Sequence, residues 1–177
     1  MSELDEAWAA ALSEAEQRAR LAGRKDVADY LSLKNSNDLL RKAGIDWLLS
    51  SFTILAGEAN RAGASLQVSS KDGHRFKIGN STMVGQILTL SSGVRTLFVE
   101  AGWPRAPRDG IVRGGGLACA NLRHLGLPNS SEELLLSRSS TGAPHWISVT
   151  KKRRAPGGLQ QSDLRHHLEV LIDRLKK

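Results

Sequence analysis

SLQVSSKDGHRFKIG, residues 65–79, is the stretch at which the chain changes from helical to strand-like sequence. Before it, apolar residues recur with helical spacing, and within it apolar and polar residues alternate. Phe76 and Ile78 share one side of an extended chain, and the dipeptide Asp72-Gly73 separates them from a similar run. Alternation with a period of two is typical of a half-buried strand, and Asp-Gly between two such runs favours a tight turn. The stretch therefore predicts a β-hairpin that turns at Asp72-Gly73.

Two later stretches predict four further strands. Residues 83–103, MVGQILTLSSGVRTLFVEAGW, have the composition of two central strands that turn at residues 91–93. Residues 132–150, EELLLSRSSTGAPHWISVT, predict a last hairpin that turns near the middle of the stretch. An alternative stays open here, because Ser130 followed by Glu133 matches a capping box and would begin a helix.

Apolar residues with helical spacing predict the helices of the chain. The predicted helices cover residues 3–22, 25–33, 37–60 and 162–176. Ser36 or Asn37 would cap the third of them. A short helix at about 117–125 is predicted after three consecutive glycines. The third helix is the most apolar and is therefore the best candidate for a core element.

Together these elements predict an α+β fold. The sheet would be antiparallel, with about five to six strands over residues 64–149, packed by a central helix and a C-terminal helix. We expect residues 1–34 to form an acidic helical N-terminal segment and residues 35–177 to form a single α+β domain. In that domain a basic linker, residues 150–161, would lead to the C-terminal helix at 162–176.

The charge of the chain is positive and unevenly distributed. The formal net charge is +7. Residues 1–60 carry 7 Lys and Arg against 10 Asp and Glu, whereas residues 61–177 carry 18 against 8. Such a division indicates a polyanionic partner for the later part of the chain, although a basic protein can also simply be soluble.

The composition of the chain indicates its cellular compartment and excludes some kinds of site. Hydrophobic residues make up 40% of the chain and charged residues 24%, which is typical of a globular domain. A single cysteine, Cys119, allows no intrachain disulfide and no thiol-rich zinc site. The acidic start lacks the apolar run of a secretory signal, and no stretch has the apolar length of a membrane span. We therefore expect a cytoplasmic protein without membrane contact, and no motif predicts a cofactor or a metal.

The stretch WPRAPRDGIVRGGGLACANLRHLG, residues 103–126, is the best candidate for a binding site. Its prolines stiffen a loop that would project two arginines, and glycines that lead into a helix can direct backbone N–H groups at an anion. The acids Glu100 and Asp109 flank this loop. Within the stretch, the predicted anion-binding residues are Arg105, Arg108, Arg113, Gly114, Gly115, Gly116 and Arg123.

A second basic feature lies near the C-terminus. The predicted anion-binding residues there are four consecutive cations, Lys151, Lys152, Arg153 and Arg154. Lysine and arginine neutralise phosphates, and exposed aromatic rings on a sheet could stack on bases. The candidate rings are Phe76, Phe98, Trp103 and Trp146. Our leading interpretation is a non-enzymatic binding module for an anionic partner, either nucleic acid or a nucleoprotein assembly.

Two other functions stay open on the sequence. The first is a protein-interaction or homo-oligomeric adaptor that uses a sheet edge and the leucine face of the last helix. That face consists of Leu164, Leu168, Leu171 and Leu175. The other is an enzyme or small-anion binder at the Gly114–Gly116 turn, although that turn matches neither a P-loop nor a dinucleotide-binding motif.

Overall fold

A computed structural model describes residues 3–150 and 158–172 of the chain. The helices are α1 (Glu3–Leu21), α2 (Lys25–Arg61) and α3 (Gln161–Ile172). The strands are β1 (Gln67–Ile78), β2 (Ser81–Ser92), β3 (Arg95–Trp103), β4 (Ala118–His124), β5 (Glu132–Arg138) and β6 (Pro144–Ser148). The four cations Lys151, Lys152, Arg153 and Arg154 lie outside the described residues, as does Leu175.

The strands form one antiparallel sheet in which each strand pairs with the next along the chain. The strand order is β1-β2-β3-β4-β5-β6, so the sheet is a simple meander without crossovers. The predicted α+β class is confirmed, including an antiparallel sheet, helices at the N-terminal end and a helix after the last strand. No helix of the described ranges is long and apolar enough to cross a membrane.

The predicted hairpin at Asp72-Gly73 is wrong, because this dipeptide lies inside β1. Asp72 pairs with Gln86 and His74 pairs with Gly85, so Gly73 is the extra residue of a β-bulge. The turn between β1 and β2 comes later, at Gly79, which has φ +58°. A bulge and a turn both favour glycine at positive φ, and Gly73 has φ +68°. Asp72-Gly73 therefore forms a β-bulge within a longer strand instead of a turn.

The two helices predicted at 25–33 and 37–60 are one continuous helix, α2, of 37 residues. Ser36 and Asn37, which we expected to cap the second of them, lie in its interior. No proline or glycine separates the two apolar stretches, and Ser or Asn caps a helix only where the preceding chain is not already helical. The predicted break is therefore absent.

The predicted helix at 117–125 is also wrong, because this segment forms β4. Its alternate residues Ala118, Ala120 and Leu122 are fully buried. Pairing with β3 on one side and β5 on the other satisfies the backbone, and this pairing overrides the helical preference of alanine and leucine. The open alternative at residues 132–150 is settled in favour of the hairpin, since the chain turns where Ser139 N–H donates to Ala143 O at 2.8 Å.

Contacts divide the chain into two compact units, Met1–Lys42 and Ala43–Lys177. The first unit contains α1 and the beginning of α2. In α1, Arg20 forms an ion pair with Glu16, four residues earlier, at 2.6 Å. The division that we expected at residue 34 stays a prediction.

In the second unit, the later half of α2 and the helix α3 pack against one side of the sheet, the inner face. The buried residues of this core include Leu48, Phe52, Leu55, Leu97, Val99, Leu122, Leu134, Leu136, Trp146, Leu164 and Leu171. Nε1 of Trp146 donates a hydrogen bond to the carbonyl oxygen of Gly44 in α2 at 2.9 Å. The opposite side, the outer face, carries no helix among the residues that the structure describes.

Candidate functional site

The predicted anion-binding arginines do not come together at one place. Arg105 and Arg108 lie in the loop after β3, and Arg108 belongs to a short 3-10 turn, Pro107–Asp109. Arg113 lies at a cavity on the outer face. Arg123 lies on the outer face of β4, beside Glu100. The sequence therefore identified four arginines that are exposed in the structure, but it did not show that they lie at three different places.

A group of arginines that we refer to as the basic corner forms where β1, β3 and the loop after β3 meet. Arg75, Val84 and Trp103 are cross-strand neighbours, so their side chains share one face of the sheet. The guanidinium carbon of Arg105 lies 3.5 Å from the ring centroid of Trp103. The basic corner consists of Arg75, Arg105 and Arg108 around Trp103 and Asp109.

Asp109 holds this corner together. Its Oδ2 accepts hydrogen bonds from the backbone N–H groups of Arg105, at 3.2 Å, and Ala106, at 3.0 Å. Its Oδ1 accepts one from Nη2 of Arg75 at 3.0 Å. Burial raises the pKa of Asp109, but the two backbone hydrogen bonds and the charge of Arg75 outweigh burial and lower that pKa overall. Asp109, one of the two acids that flank the loop in the sequence, is thus an ionised residue that holds the loop in place.

The arginines of the corner stay accessible. The Arg75 side chain is 55% exposed even while it pairs with Asp109. Arg108 is exposed, and its guanidinium makes no hydrogen bond or salt bridge with any residue in the described ranges. Arg75 pairs with Asp109, Arg105 lies over Trp103, and Arg108 belongs to the same short turn as Asp109, so three cations and one carboxylate belong to this corner.

The three glycines do not precede a helix. Gly114 and Gly115 both have φ +68° and form a tight turn that leads into β4. Gly116 lies against β5, where an added Cβ would clash with Cδ1 of Leu135. The helix N-terminus that was expected to bind an anion is therefore absent, because the following residues form a strand. That Gly114, Gly115 and Gly116 contact an anion stays a prediction.

A polar cluster occupies the middle of the outer face. Glu100 is 5% exposed. Its Oε1 lies 2.8 Å from Nε2 of His74 and 3.6 Å from Nη2 of Arg123, and its Oε2 accepts a weak hydrogen bond of 3.4 Å from Asn121. Gly85, which pairs with His74, has no side chain to block the path of the ring across β2. The cation of Arg123 is thus partly neutralised by Glu100.

The aromatic rings proposed for base stacking are not open surfaces. Phe76, Trp103 and Trp146 are buried, with exposures of 8%, 7% and 2%. Phe98 is half-buried, and the guanidinium of Arg123 lies 4.5 Å from its ring centroid. Stacking of bases on these rings would require Arg123 or the core to move.

The leucine face of the last helix is already covered. Leu164, Leu168 and Leu171 have exposures of 0%, 4% and 1% because α3 packs on the sheet. The C-terminal helix thus packs on the sheet as predicted, and the alternative role of these three residues in docking a partner or a second copy of the chain is not supported. An amphipathic helix of this length can serve either role, and only tertiary packing distinguishes them.

Cys119 is a buried thiol rather than a nucleophile. It lies on the outer face of β4, in a small cluster with Phe76, Ile78 and Met83. Burial and then the nearby charge of Glu133 raise the pKa of Cys119 to about 11. Across residues 3–150 and 158–172, no group of three or more His, Cys, Asp or Glu side chains is placed to hold a metal ion.

The sequence reasoning missed Arg75. It lies in a stretch predicted as a strand, but the predicted turn at Asp72-Gly73 left its strand partners undefined. With the correct register, Arg75 pairs with Val84, which in turn pairs with Trp103, one residue before the proline-rich loop. The alternation of Arg75 with Phe76 was the available signal that this side chain points away from the small outer cluster.

Comparison of the chain with protein-family models, with curated proteins and with solved structures finds no significant match. The fold and the basic corner therefore define the protein only as a basic α+β protein with a meander sheet, and its function is inferred from its own geometry.

Proposed function

We propose that this protein is a non-enzymatic binding module for an anionic macromolecule, and that the partner is nucleic acid. The observation that supports the proposal best is the basic corner, which holds three arginines, Arg75, Arg105 and Arg108, and the carboxylate of Asp109. The guanidinium group is suited to phosphate because its donors form a rigid fork that can bind two oxygens at once.

The corner is preorganised for such a contact. Asp109 fixes the loop through two backbone hydrogen bonds, and Trp103 supports the guanidinium plane of Arg105. A loop that is already ordered loses little conformational entropy on binding. Phosphate contacts of this kind position a nucleic acid without reading its sequence. The proposed binding is therefore largely sequence-independent.

The distribution of charge along the chain supports the same partner. Residues 61–177 carry 18 basic and 8 acidic residues, and four of the basic residues are consecutive at Lys151–Arg154. We propose that this basic run adds affinity by neutralising further phosphates. It lies outside the described residues, so its contribution is proposed from sequence alone.

Fluorescence anisotropy with labelled single- and double-stranded DNA and RNA, over a series of salt concentrations, tests the proposal. The full-length protein is compared with a variant in which Lys151, Lys152, Arg153 and Arg154 are all changed to alanine. The proposal expects binding that weakens steeply with salt and a variant with lower affinity and a shallower salt dependence. Absence of binding to all four nucleic acids at low salt would overturn it.

A further inference from the structure

A cavity of about 470 Å³ opens on the outer face of the sheet. It lies between the end of β1, the turn before β4, and strands β4 to β6. Its apolar wall is formed by Ile78, Leu135, Ile147 and Val149. Leu135 and Ile147 are half-buried, and Val149 is 56% exposed. The volume is within the range of sites that bind small molecules, about 300–1,000 Å³.

Two opposite charges line this apolar cavity. Arg113 reaches it from the turn before β4, and Glu133 reaches it from the outer face of β5. Neither side chain makes a hydrogen bond or a salt bridge with another residue of the described ranges, and the two do not pair with each other. An unpaired charge beside apolar surface gains from an opposite charge on a ligand, because partial exclusion of water strengthens the attraction.

The cavity is largely preformed. The guanidinium of Arg113 lies over Gly79, where an added Cβ would be 2.8 Å from Nη2. Gly116 allows the turn to pass close to Leu135. The floor contributes Cys119, whose thiol is protonated at neutral pH because its pKa is about 11. The lining therefore presents one cation and one anion on an otherwise neutral surface.

We propose that this cavity binds a small zwitterion with an apolar body, of the class of apolar amino acids and short apolar peptides. The ligand carboxylate would bind the guanidinium of Arg113, and the ligand ammonium would bind the carboxylate of Glu133. The apolar side chains of the ligand would contact Ile78, Leu135 and Ile147. This site is separate from the basic corner, so the inference does not depend on nucleic-acid binding.

Isothermal titration calorimetry of the full chain tests the inference with L-leucine, Leu-Leu and Leu-Leu-Leu. The distance between the ammonium and the carboxylate increases along this series. The compound that binds most tightly therefore shows whether the cavity prefers an amino acid or a short peptide. Each compound is also used as its N-acetyl and its C-terminal amide form, which lack the ammonium and the carboxylate respectively. We expect at least one zwitterion to bind. Each of its blocked forms should bind at least about tenfold more weakly, the loss expected when one charge contact is removed.

Two variants test which residue of the cavity binds each charged end of the ligand. Arg113→Ala should weaken binding of the zwitterion and remove the difference between the free acid and the amide. Glu133→Gln should also weaken binding of the zwitterion, and it should remove the difference in affinity between the free amine and the N-acetyl form. Arg61→Ala, an exposed arginine at the end of α2 that does not line the cavity, is the matched control and should leave binding of the zwitterion unchanged. The inference is overturned if none of the three zwitterions binds at about 10 mM, a weak-binding limit, or if blocked forms bind as tightly as free ones.

Discussion

Nε2 of His167 in α3 lies 2.8 Å from Oε2 of Glu132 in β5, and the two side chains are only 3% and 2% exposed. Nδ1 of the same imidazole lies 3.0 Å from Nε2 of His124 in β4. The carboxylate of Glu132 accepts a hydrogen bond from Nε2 of His167, and a second hydrogen bond joins the two imidazole rings. A continuous polar chain thus joins α3 to two neighbouring strands within a leucine-rich core.

Changing His167 to alanine should destabilise the protein strongly. The variant removes one partner of the buried Glu132 carboxylate, and breaking a buried pair of this kind costs about 3–5 kcal/mol of the free energy of unfolding. Urea denaturation measures the change. The matched control is His166→Ala, since that neighbouring side chain is 66% exposed and its loss should cost well under 1 kcal/mol. Equal effects of the two changes would contradict the buried chain.

The stability of the fold should fall on mild acidification. Burial, and then the charges of His167, Arg95 and His166, lower the pKa of His124 from 6.5 to about 4. Between these two values the unfolded chain binds a proton at this residue and the folded chain does not, so stability is lost as pH falls. The limiting slope is about 1.4 kcal/mol per pH unit.

Unfolding experiments at pH values from 7 down to 4 measure this slope, and the variant His124→Gln supplies the control. Glutamine keeps a polar group at the position but cannot take up the proton. The variant should therefore show a weaker dependence of stability on pH than the wild-type protein over this window. An unchanged dependence would mean that another group is responsible for it.

Two glycines of α2 should respond in opposite ways to the same substitution. A Cβ at Gly44 would lie 2.7 Å from both Cδ atoms of the buried Leu136, whereas at Gly57 the nearest atom would be Nη1 of Arg61 at 3.7 Å. Gly57→Ala should stabilise the helix by about 0.5–1 kcal/mol. Gly44→Ala should destabilise the protein by about 1–3 kcal/mol through overpacking. Thermal unfolding of the two variants compares them directly, and stabilisation by Gly44→Ala would contradict the close packing of α2 on β5.

The thiol of Cys119 should react slowly while the protein is folded. Its pKa of about 11, compared with 9.0 for an unperturbed thiol, leaves far less of the reactive thiolate. Because the chain has one cysteine, the release of chromophore from an aromatic disulfide reagent reports this residue alone. The folded protein should react at least about 100-fold more slowly than the urea-unfolded chain, the factor expected from two pKa units. Comparable rates would show that the outer cluster does not shield the thiol.

Local sequence patterns predicted the class of fold well but the strand boundaries less well. The alternation around Phe76 and Ile78 located a strand, yet Gly73 and Gly79 both have positive φ and only cross-strand pairing decides which one is the turn. The segment from Ala118 to His124 is rich in alanine and leucine, and its strand conformation depends on hydrogen bonds to β3 and β5. Such tertiary effects are not encoded in the spacing of nearby residues.

The candidate site was predictable to the same extent. The proline-rich loop and its arginines were identified from composition, and the structure confirms that Arg108 is exposed. The contribution of Arg75 was not predictable, because it depends on a register that brings β1, β2 and β3 together. The leucine face of α3 had two possible partners in the sequence, the sheet of the same chain or another molecule. Only the packed fold shows that the sheet covers it.

The salt dependence of nucleic-acid binding by the double variant Arg105→Ala, Arg108→Ala tests the central claim most directly. The matched control, Arg61→Ala with Arg165→Ala, removes the same charge from helices α2 and α3, away from the basic corner. If the corner contacts phosphates, its variant should bind more weakly, and the slope of log K against log salt should become shallower by about 2, close to one unit per lost contact. The control should keep nearly the original slope. Equal slopes for the two variants would contradict the basic corner as the binding surface.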